Sequence, residues 1–334
     1  MIGMDSKVNI SQIAKELGMS VSTVSRALSG NGRISSVTRQ KIEDYLVENE
    51  FVPNVRIKKY TDIHTNMIAV VLPGEEHFAS MPYFLNVFLS VYDYFSIRGY
   101  QVNLIKITPN DISNLINAVE KHVMDGVILS RTVENNNEIN YLKEKGVPFV
   151  VIGPCDDESV LRVDTDNENA CCEITNSILH KGLNRIAVMG AEVEHKINRN
   201  RLNGVIRAHV ESHMLLDRDF IFYNTDSVNI AEMAIEKVMA AGMDCILCMD
   251  DNLCMVILRL LRKMKIEVPR DIKVASLHNS SLLDEWYPSI SCIYVDVDEL
   301  GREASRILYV YLTEKKKTPH SILGYEIQMK DSTN

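Results

Sequence analysis

The segment that most constrains this chain lies near its start, between residues 9 and 30. Asn9 and Gln12 have the spacing of a capping box, so a helix can begin at Asn9. Apolar residues then recur at helical spacing until Gly18, which can end the helix in the left-handed conformation. Because Ser20 can cap a second helix directly afterwards, the pattern predicts two short helices joined by a tight turn, which is a helix-turn-helix.

The second helix of this motif is predicted to have two different faces. Three apolar residues face inward, and they are Val24, Ala27 and Leu28. The outer face carries small polar side chains and one arginine, which suit base edges and phosphates in the major groove of DNA. An ordinary helical domain with a solvated polar face is the alternative. The residues that we predict to contact DNA here are Ser20, Val21, Ser22, Thr23, Ser25 and Arg26.

The residues after this motif predict a third helix and then a linker. The third helix can begin at Ser35, and its residues predicted to face inward are Val37, Ile42, Tyr45 and Leu46. A polar stretch at 61–66 then reads as a connection to the rest of the chain.

The distribution of charge supports a nucleic-acid role for the N-terminal part. The whole chain has a net charge of −9, with histidine taken as neutral. Residues 1–60 hold nine basic and six acidic residues, whereas the remainder holds 27 basic and 39 acidic residues. A basic head on an acidic body confines the attraction for phosphates to one end of the chain.

From residue 67 the sequence alternates between short apolar runs and amphipathic stretches. Continuous apolar strands followed by crossover helices are typical of parallel sheets covered on both faces. Eight such strands in two sets predict an α/β body of two doubly wound subdomains, with a cleft at the carboxyl ends of the strands. The predicted strands are Met67–Leu72, Gln101–Lys106, Gly126–Leu129, Phe149–Ile152, Arg185–Met189, Phe220–Tyr223, Cys245–Met249 and Lys273–Leu277.

The last part of the body is predicted to return to both subdomains. A strand at Ile290–Val295 and a helix at Glu299–Leu312 are assigned to the first subdomain, and a final strand at Tyr325–Met329 to the second. The predicted domains are an all-α head at 1–52, a hinge and linker at 53–66, a first subdomain at 67–164 and 290–323, and a second subdomain at 165–289 and 324–334.

Several classes of protein are disfavoured by the sequence. Seven cysteines, an odd number, argue against a set of disulfide bonds. Cys245 and Cys248 are three apart on a predicted strand and point to opposite faces, so we expect buried thiols, no metal and no cofactor. The motifs of hydrolases, NTPases and dinucleotide-dependent enzymes are missing, which indicates that the chain is not an enzyme. No apolar run is long enough for a membrane span or a signal peptide, which predicts a cytoplasmic protein without a membrane partner.

Three runs of residues near the start are similar to one known family. Ala14–Gly30, Ile34–Arg39 and Phe51–Asn54 together closely resemble the DNA-binding head of the LacI/GalR family of bacterial repressors. The resemblance continues along the chain and implies a body like that of periplasmic sugar-binding proteins. It also implies further contacts with operator DNA, including one from the hinge, where Tyr60 stands in place of the family's leucine. These further residues are Asn31, Arg33, Asn54 and Tyr60.

In the body the resemblance is nearest to the maltose-operon repressors of Gram-positive bacteria. It rests on Met81–Phe84, Asn200–Gly204, Met249–Asp251 and His278–Ser280, although His278 departs from the residue that many relatives carry there. Aromatic faces can stack on sugar rings, and an arginine fork can bind adjacent hydroxyls. The residues that we assign to a small-molecule effector are Tyr83, Phe84, Arg201, Asp250 and Asn279.

The resemblance implies a transcriptional repressor whose affinity for a DNA operator is controlled by an effector in the cleft. An α-glucoside or a malto-oligosaccharide is the first candidate for that effector. A regulator that needs a corepressor and a cytosolic sugar-binding module without specific DNA binding are the alternatives. We expect a homodimer, since two recognition helices suit a pseudo-palindromic site. No higher assembly is expected, because no heptad repeat follows the last predicted strand.

Overall fold

The computed structural model describes residues 10–29, 35, 37–38, 40–42, 45, 65–75, 81–133, 136–190, 195–318 and 320–334, with the backbone alone at residues 10, 11, 25, 28 and 29. The chain divides into two compact units, residues 1–63 and residues 64–334, which we call the head unit and the body unit. Several residues named above lie outside the described ones. They are Asn9, Asn31, Arg33, Leu46, Asn54 and Tyr60.

The head unit contains two short helices joined as the sequence predicts. Helix α1 spans Ile10–Glu16 and helix α2 spans Val21–Ser29. Gly18 has a φ of +65°, and Ser20 Oγ accepts the backbone N–H of Thr23 at 3.1 Å. The predicted turn and the predicted cap are therefore confirmed. The buried side chains that hold these helices together are Ile13, Ala14, Val24 and Ile42.

One residue of the third predicted helix faces away from the core. Helical residues occur at 37–38, 40–42 and 45, and Ser35 Oγ caps them by accepting the N–H of Thr38 at 3.1 Å. Ile42 is buried as predicted, but Val37 is 65% exposed. Residues five apart lie about 140° apart around a helix, so these two side chains cannot share one face. The inward assignment of Val37 is therefore wrong.

The body unit contains two six-stranded sheets, and each is the centre of one subdomain. The strands of the first sheet are β1 Met67–Pro73, β2 Gln101–Ile107, β3 Gly126–Leu129, β4 Phe149–Ile152, β5 Leu161–Thr165 and β11 Ser321–Leu323. Their order across the sheet is β11-β5-β4-β3-β1-β2, and all of them are parallel. The helices of this first subdomain are α3 Pro82–Ser96, α4 Ser113–Glu120, α5 Asn137–Lys145 and α11 Val297–Glu314.

The second sheet repeats this arrangement with one antiparallel edge. Its strands are β6 Ile186–Met189, β7 Ile221–Phe222, β8 Cys245–Cys248, β9 Lys273–Ser276, β10 Ser291–Tyr294 and β12 Glu326–Gln328. Their order is β12-β10-β9-β8-β6-β7, and only β12 runs antiparallel to its neighbour. The helices of this second subdomain are α6 Asn167–His180, α7 Lys196–Glu211, α8 Val228–Ala241, α9 Asp251–Lys263 and α10 Ser281–Asp284. Every residue of β3, β6 and β8 is buried, as in parallel sheets covered on both faces. The predicted pair of doubly wound sheets is confirmed.

The chain passes between the two subdomains after β5, after β10 and after β11. The sequence-based assignment of β10 to the first subdomain is wrong, because Ser291 of this strand lies opposite Ala275 of β9 in the second sheet. Helix α11, which follows β10, packs on α3 and on the first sheet, as predicted. Strand β5 is missing from the predicted strands, because Arg162 and Asp164 interrupt its apolar pattern.

Two further predictions concern the state of the cysteines and the presence of a membrane-spanning helix. All seven cysteines are free and buried, and the predicted core thiols Cys245 and Cys248 both lie in β8. Among the described residues, we find no helix with the length and apolar character that a bilayer crossing requires.

Candidate functional site

A cavity of about 150 Å³ lies between the two sheets of the body unit, and we call it the cleft. Both subdomains contribute to its lining. Four of the lining residues follow the carboxyl ends of strands, namely Ser130 after β3, Gly153 after β4, Asp250 after β8 and His278 after β9. This is the position at which open parallel sheets bind ligands.

The aromatic side of the cleft comes from the start of α3. Pro82 occupies the first turn of this helix, where its missing N–H leaves no hydrogen bond unmade. The rings of Tyr83 and Phe84 are 5.1 Å apart in an edge-to-face arrangement, and the ring of Tyr83 lies 5.8 Å from that of His278. Burial raises the pKa of Tyr83, so its phenol is neutral. These rings give the cleft an apolar face with one hydroxyl.

The cationic group of the cleft is Arg201, which lies on α7 and is only 5% exposed. One guanidinium nitrogen, Nη1, donates to the carbonyl oxygen of Met249 at 2.7 Å, just after β8. The buried Nε atom has no hydrogen-bond partner within the described part of the chain. A buried N–H without a partner is costly, and a ligand oxygen would satisfy it.

Gly204 explains how α7 comes close enough to place this arginine. A Cβ atom there would lie 2.8 Å from Cys171 Cβ on α6 and closer still to the carbonyl oxygen of Glu168. Only a glycine allows these two helices to pack backbone against backbone.

Two carboxyl groups of the cleft have raised pKa values. Burial raises the pKa of Asp164 to about 7, against the opposing effects of the Thr165 N–H bond and of nearby arginines. Burial, followed by the charge of Asp251, also raises the pKa of Asp250. Asp250 caps α9 by accepting the N–H of Leu253 at 2.8 Å.

A third carboxyl group, Asp251, is held in a hydrogen-bonded network. Its Oδ1 atom lies 3.1 Å from Nδ1 of His278, and its Oδ2 atom accepts the hydroxyl of Ser280. Burial alone would raise the pKa of Asp251, but the bond and charge of His278 together with the Ser280 bond lower it to about 2. Because a carboxylate can only accept, His278 carries its proton on Nδ1 and leaves Nε2 for another partner.

Four of the five predicted effector residues line the cleft, namely Tyr83, Phe84, Arg201 and Asp250. The fifth, Asn279, does not line it. Its Nδ2 atom donates to Asp284 Oδ1 on α10 at 3.3 Å, because adjacent residues after β9 point in different directions and His278 takes the side that faces the cleft. Lining residues that were not assigned to the effector from the sequence include Ser130, Arg131, Thr132, Asp164, His195, Asp226, Asp251 and His278.

The head unit presents the predicted polar face. Ser20, Ser22 and Arg26 are exposed, as is Val21, whereas Val24 is buried on the opposite side. The hydroxyl of Ser20 lies 2.8 Å from the hydroxyls of both Ser22 and Thr23. The side chain of Ser25 is outside the described atoms.

A metal ion has no evident site in the part of the chain that the structure describes. No three His, Cys, Asp or Glu side chains in that part are grouped as metal ligands would be.

Two regions of the chain match known protein families. Residues 9–54 match the model of bacterial regulatory proteins of the lacI family, and residues 175–333 match that of the periplasmic binding protein-like domain. The catabolite control protein A of Staphylococcus xylosus is 24% identical over 98% of this chain and 99% of its own length. The chain therefore combines a DNA-binding region of the lacI type with a periplasmic binding protein-like domain. It is a DNA-binding transcriptional regulator, and not an enzyme.

Solved structures of transcriptional regulators share the fold. A probable maltose operon transcriptional repressor from Staphylococcus aureus superposes with a TM-score of 0.76 at 21% identity, over 81% of this chain and 99% of that one. The transcriptional regulator CelR, solved as a complex with cellobiose, superposes with a TM-score of 0.73 at 24% identity, over 97% of this chain and 99% of that one.

Proposed function

We propose that this regulator is a repressor whose affinity for a DNA operator is controlled by a sugar bound in the cleft. The observation that carries the proposal is Arg201, a buried cation on the cleft with an unpartnered Nε atom. In this proposal residues 1–52 bind the operator and residues 53–66 connect the head to the body. The protein acts in the cytoplasm, where its DNA lies.

The chemistry of the cleft supports a sugar as the effector. A sugar needs partners for its hydroxyls and apolar cover for its C–H faces. Arg201 supplies a donor, Asp250 and Asp164 supply oxygens, and the rings of Tyr83 and Phe84 supply apolar cover. The two structural relatives named for a maltose operon and for cellobiose favour a glucoside, and an α-glucoside or malto-oligosaccharide is our first candidate.

Calorimetric titration with maltose, maltotriose and cellobiose tests this proposal. If the fork of Arg201 meets sugar hydroxyls, Arg201→Ala lowers the affinity about 10- to 100-fold. Arg207→Ala is the matched control, because Arg207 lies on the same helix but pairs with Glu168 and does not line the cleft. Unchanged sugar binding by Arg201→Ala, or no binding of any sugar by the wild-type protein, would contradict the proposal.

For the operator, we propose a pseudo-palindromic site read by the outer face of α2. Arg26→Ala is expected to weaken binding to every duplex, because a phosphate contact carries no sequence information. Changes at Val21 or Ser22 are expected to alter the preferred bases. Selection from a randomised duplex library checks both results. We also propose contacts from Asn31, Arg33, Asn54 and Tyr60, to be tested by alanine substitution in the same assay.

We further propose a homodimer, supported by an apolar stripe on α3. Leu85, Leu89 and Tyr92 are exposed and recur at helical spacing on one face. Exposed apolar stripes of this kind are typical of interfaces. Light scattering is expected to give the mass of two chains for the wild-type protein and for Leu215→Lys, an exposed residue away from α3, but a mass nearer one chain for Leu89→Lys.

A further inference from the structure

Asp125, the residue before β3, holds the point at which the chain enters the body unit. Its Oδ1 atom accepts the backbone N–H of Thr65 at 2.6 Å and the Thr65 hydroxyl at 2.8 Å. Its Oδ2 atom accepts the N–H of Asn66 at 2.9 Å. The Asp125 side chain is buried, does not line the cleft and has no part in the proposed sugar site.

The backbone around this carboxylate is fixed as well. The N–H of Asp125 donates to the carbonyl oxygen of Met67 at 2.7 Å. The N–H of Gln101 donates to the carbonyl oxygen of Asn66, also at 2.7 Å. Asn66 has a φ of +53°, a conformation that side-chain-bearing residues rarely adopt. Residues 65 and 66 are thus held in one defined backbone conformation.

The second subdomain contains the same arrangement at an equivalent place. Asp244 precedes β8, which pairs with β6 as β3 pairs with β1. Its Oδ2 atom accepts the N–H groups of Asn184 and Arg185 at 3.0 and 2.8 Å. An aspartate that binds the two residues before the first strand is therefore a shared feature of both sheets.

The two aspartates differ in what lies before the residues that they hold. Asn184 follows α6 of the same subdomain, so Asp244 joins two elements of one compact body. Thr65 is the second residue of the body unit, and the head unit ends at residue 63. The covalent connection from the body unit to the head unit therefore passes through Thr65 and Asn66.

We propose that Asp125 is a positioning residue for operator binding, because it fixes the direction in which the chain leaves the body toward the DNA-binding head. Freeing residues 65 and 66 adds conformational freedom that must be lost again when the heads dock on an operator, an effect of about tenfold or more in affinity. This inference rests on the proposed operator binding.

The experiment uses the full chain and a duplex selected by the wild-type protein from a randomised library. Asp125→Ala is compared with Asp244→Ala, which removes the equivalent carboxylate from the other subdomain. Asp125→Asn keeps the side-chain volume but places an amide donor against a backbone N–H, and Thr65→Val removes one donor only. These two variants keep the test available if Asp125→Ala does not fold.

We expect both Asp125 variants to bind the selected duplex about tenfold more weakly or worse, and Thr65→Val about threefold more weakly, with Asp244→Ala unchanged. Affinity for a scrambled duplex and for the sugar identified by calorimetry is expected to be the same in every variant. A merely structural role would instead lower specific binding, non-specific binding and sugar binding together.

Equal affinity of Asp125→Ala and Asp244→Ala for the selected duplex would overturn the inference, as would a parallel loss of sugar binding in the Asp125 variants. In either case the wild-type protein would still select its duplex, so the proposed function would stand. Failure of the wild-type protein to select any duplex would contradict the proposed function, and this inference with it.

Discussion

The two subdomains each place an aspartate on the cleft, and the two carboxyl groups have different partners. In the second subdomain, Asp251 accepts the hydroxyl of Ser280 and bonds to the imidazole of His278. In the first subdomain, Asp164 accepts the backbone N–H of Thr165. The two sheets are similar, so the difference between these carboxyl groups comes from the side chains that surround them.

The pKa values of two aspartates measure this difference. Asp164 and Asp251 line the same cleft and both lie in a desolvated environment, yet the pKa is about 7 for the first and about 2 for the second. Burial acts in the same direction on both. Hydrogen bonds to the charged form outweigh burial at Asp251 but not at Asp164. The partners of Asp251 therefore decide its protonation state, whereas burial decides that of Asp164.

The largest effect that we expect is on the packing of the second subdomain. Gly204→Ala should destabilise the protein by about 3 kcal/mol, because the new Cβ meets two backbone atoms of α6 as well as Cys171 Cβ. In the first subdomain, Gly301 of α11 packs against α3 in a similar way. The Cβ atom that Gly301→Ala adds would lie 2.7 Å from Ser90 Cβ, and we expect this variant to lose about 1–2 kcal/mol of unfolding free energy. Urea unfolding measures both.

Gly324→Ala is the control for these substitutions, since no atom lies within 4 Å of its Cβ position. If all three glycine variants unfolded at the same urea concentration, the helix contacts of the two subdomains would not be as close as the structure shows.

Asp251→Asn should destabilise the protein by about 2 kcal/mol at pH 7, since the pKa of Asp251 is about 2 in the folded protein and the ordinary value for an aspartate is 3.8. The carboxylate contributes this stability above about pH 4, and the contribution is lost as the pH falls through 2. Glu285→Gln, at an exposed residue that follows α10, is expected to change little. Equal unfolding free energies of Asp251→Asn and wild type at pH 7 would show that the network with His278 does not stabilise the fold.

Asp164→Asn should have the opposite sign. Because the folded pKa of Asp164 is raised to about 7, the protonated form contributes stability that is fully present below about pH 4 and lost as the pH rises through 7. The variant is therefore expected to be more stable than wild type at pH 8 and equal to it at pH 4.

The test is a comparison of unfolding free energies for Asp164→Asn and wild type across this pH range. Glu144→Gln, at an exposed residue of α5 in the same subdomain, is the control. If Asp164→Asn were less stable than wild type at pH 8, the carboxylate of Asp164 would stabilise the fold as that of Asp251 does, and the contrast between the two aspartates would be wrong.

The smallest effect concerns the two neighbours after β9. His278→Ala should weaken sugar binding by about threefold to tenfold, because its Nε2 atom is available to a ligand, whereas Asn279→Ala should leave it unchanged, because Asn279 bonds to Asp284. Calorimetry with the sugar from the panel measures both. If sugar affinity fell in Asn279→Ala but not in His278→Ala, Asn279 rather than His278 would contact the sugar, as predicted from the sequence.

Local patterns predict the structure where neighbouring residues decide it. The caps and the glycine turn of the head and the apolar strands of both sheets follow from short-range rules, whereas the assignment of Arg201 comes from the family resemblance. Local patterns do not predict which strands pair over long range. Nothing in the residues of β10 tells which sheet they join, and the polar residues of β5 conceal a strand whose last residues line the cleft.

The side-chain directions after β9 are a second limit. His278 and Asn279 are adjacent polar residues, and their sequence alone does not tell which one faces the cleft. The network that orients His278 joins residues 251, 278 and 280, which only the folded chain brings together. A polar residue after each strand could be predicted, but its orientation could not.

The three passages between the subdomains restrict how the body can bend. Leu323 at the end of β11 pairs with Thr165 at the end of β5, and Glu326 at the start of β12 pairs with Tyr294 at the end of β10. The passages therefore lie side by side along one line. Three parallel connections resist twisting and sliding but permit rotation about the line that joins them. Ligands of different sizes can thus change the angle between the subdomains while the axis of that rotation stays the same.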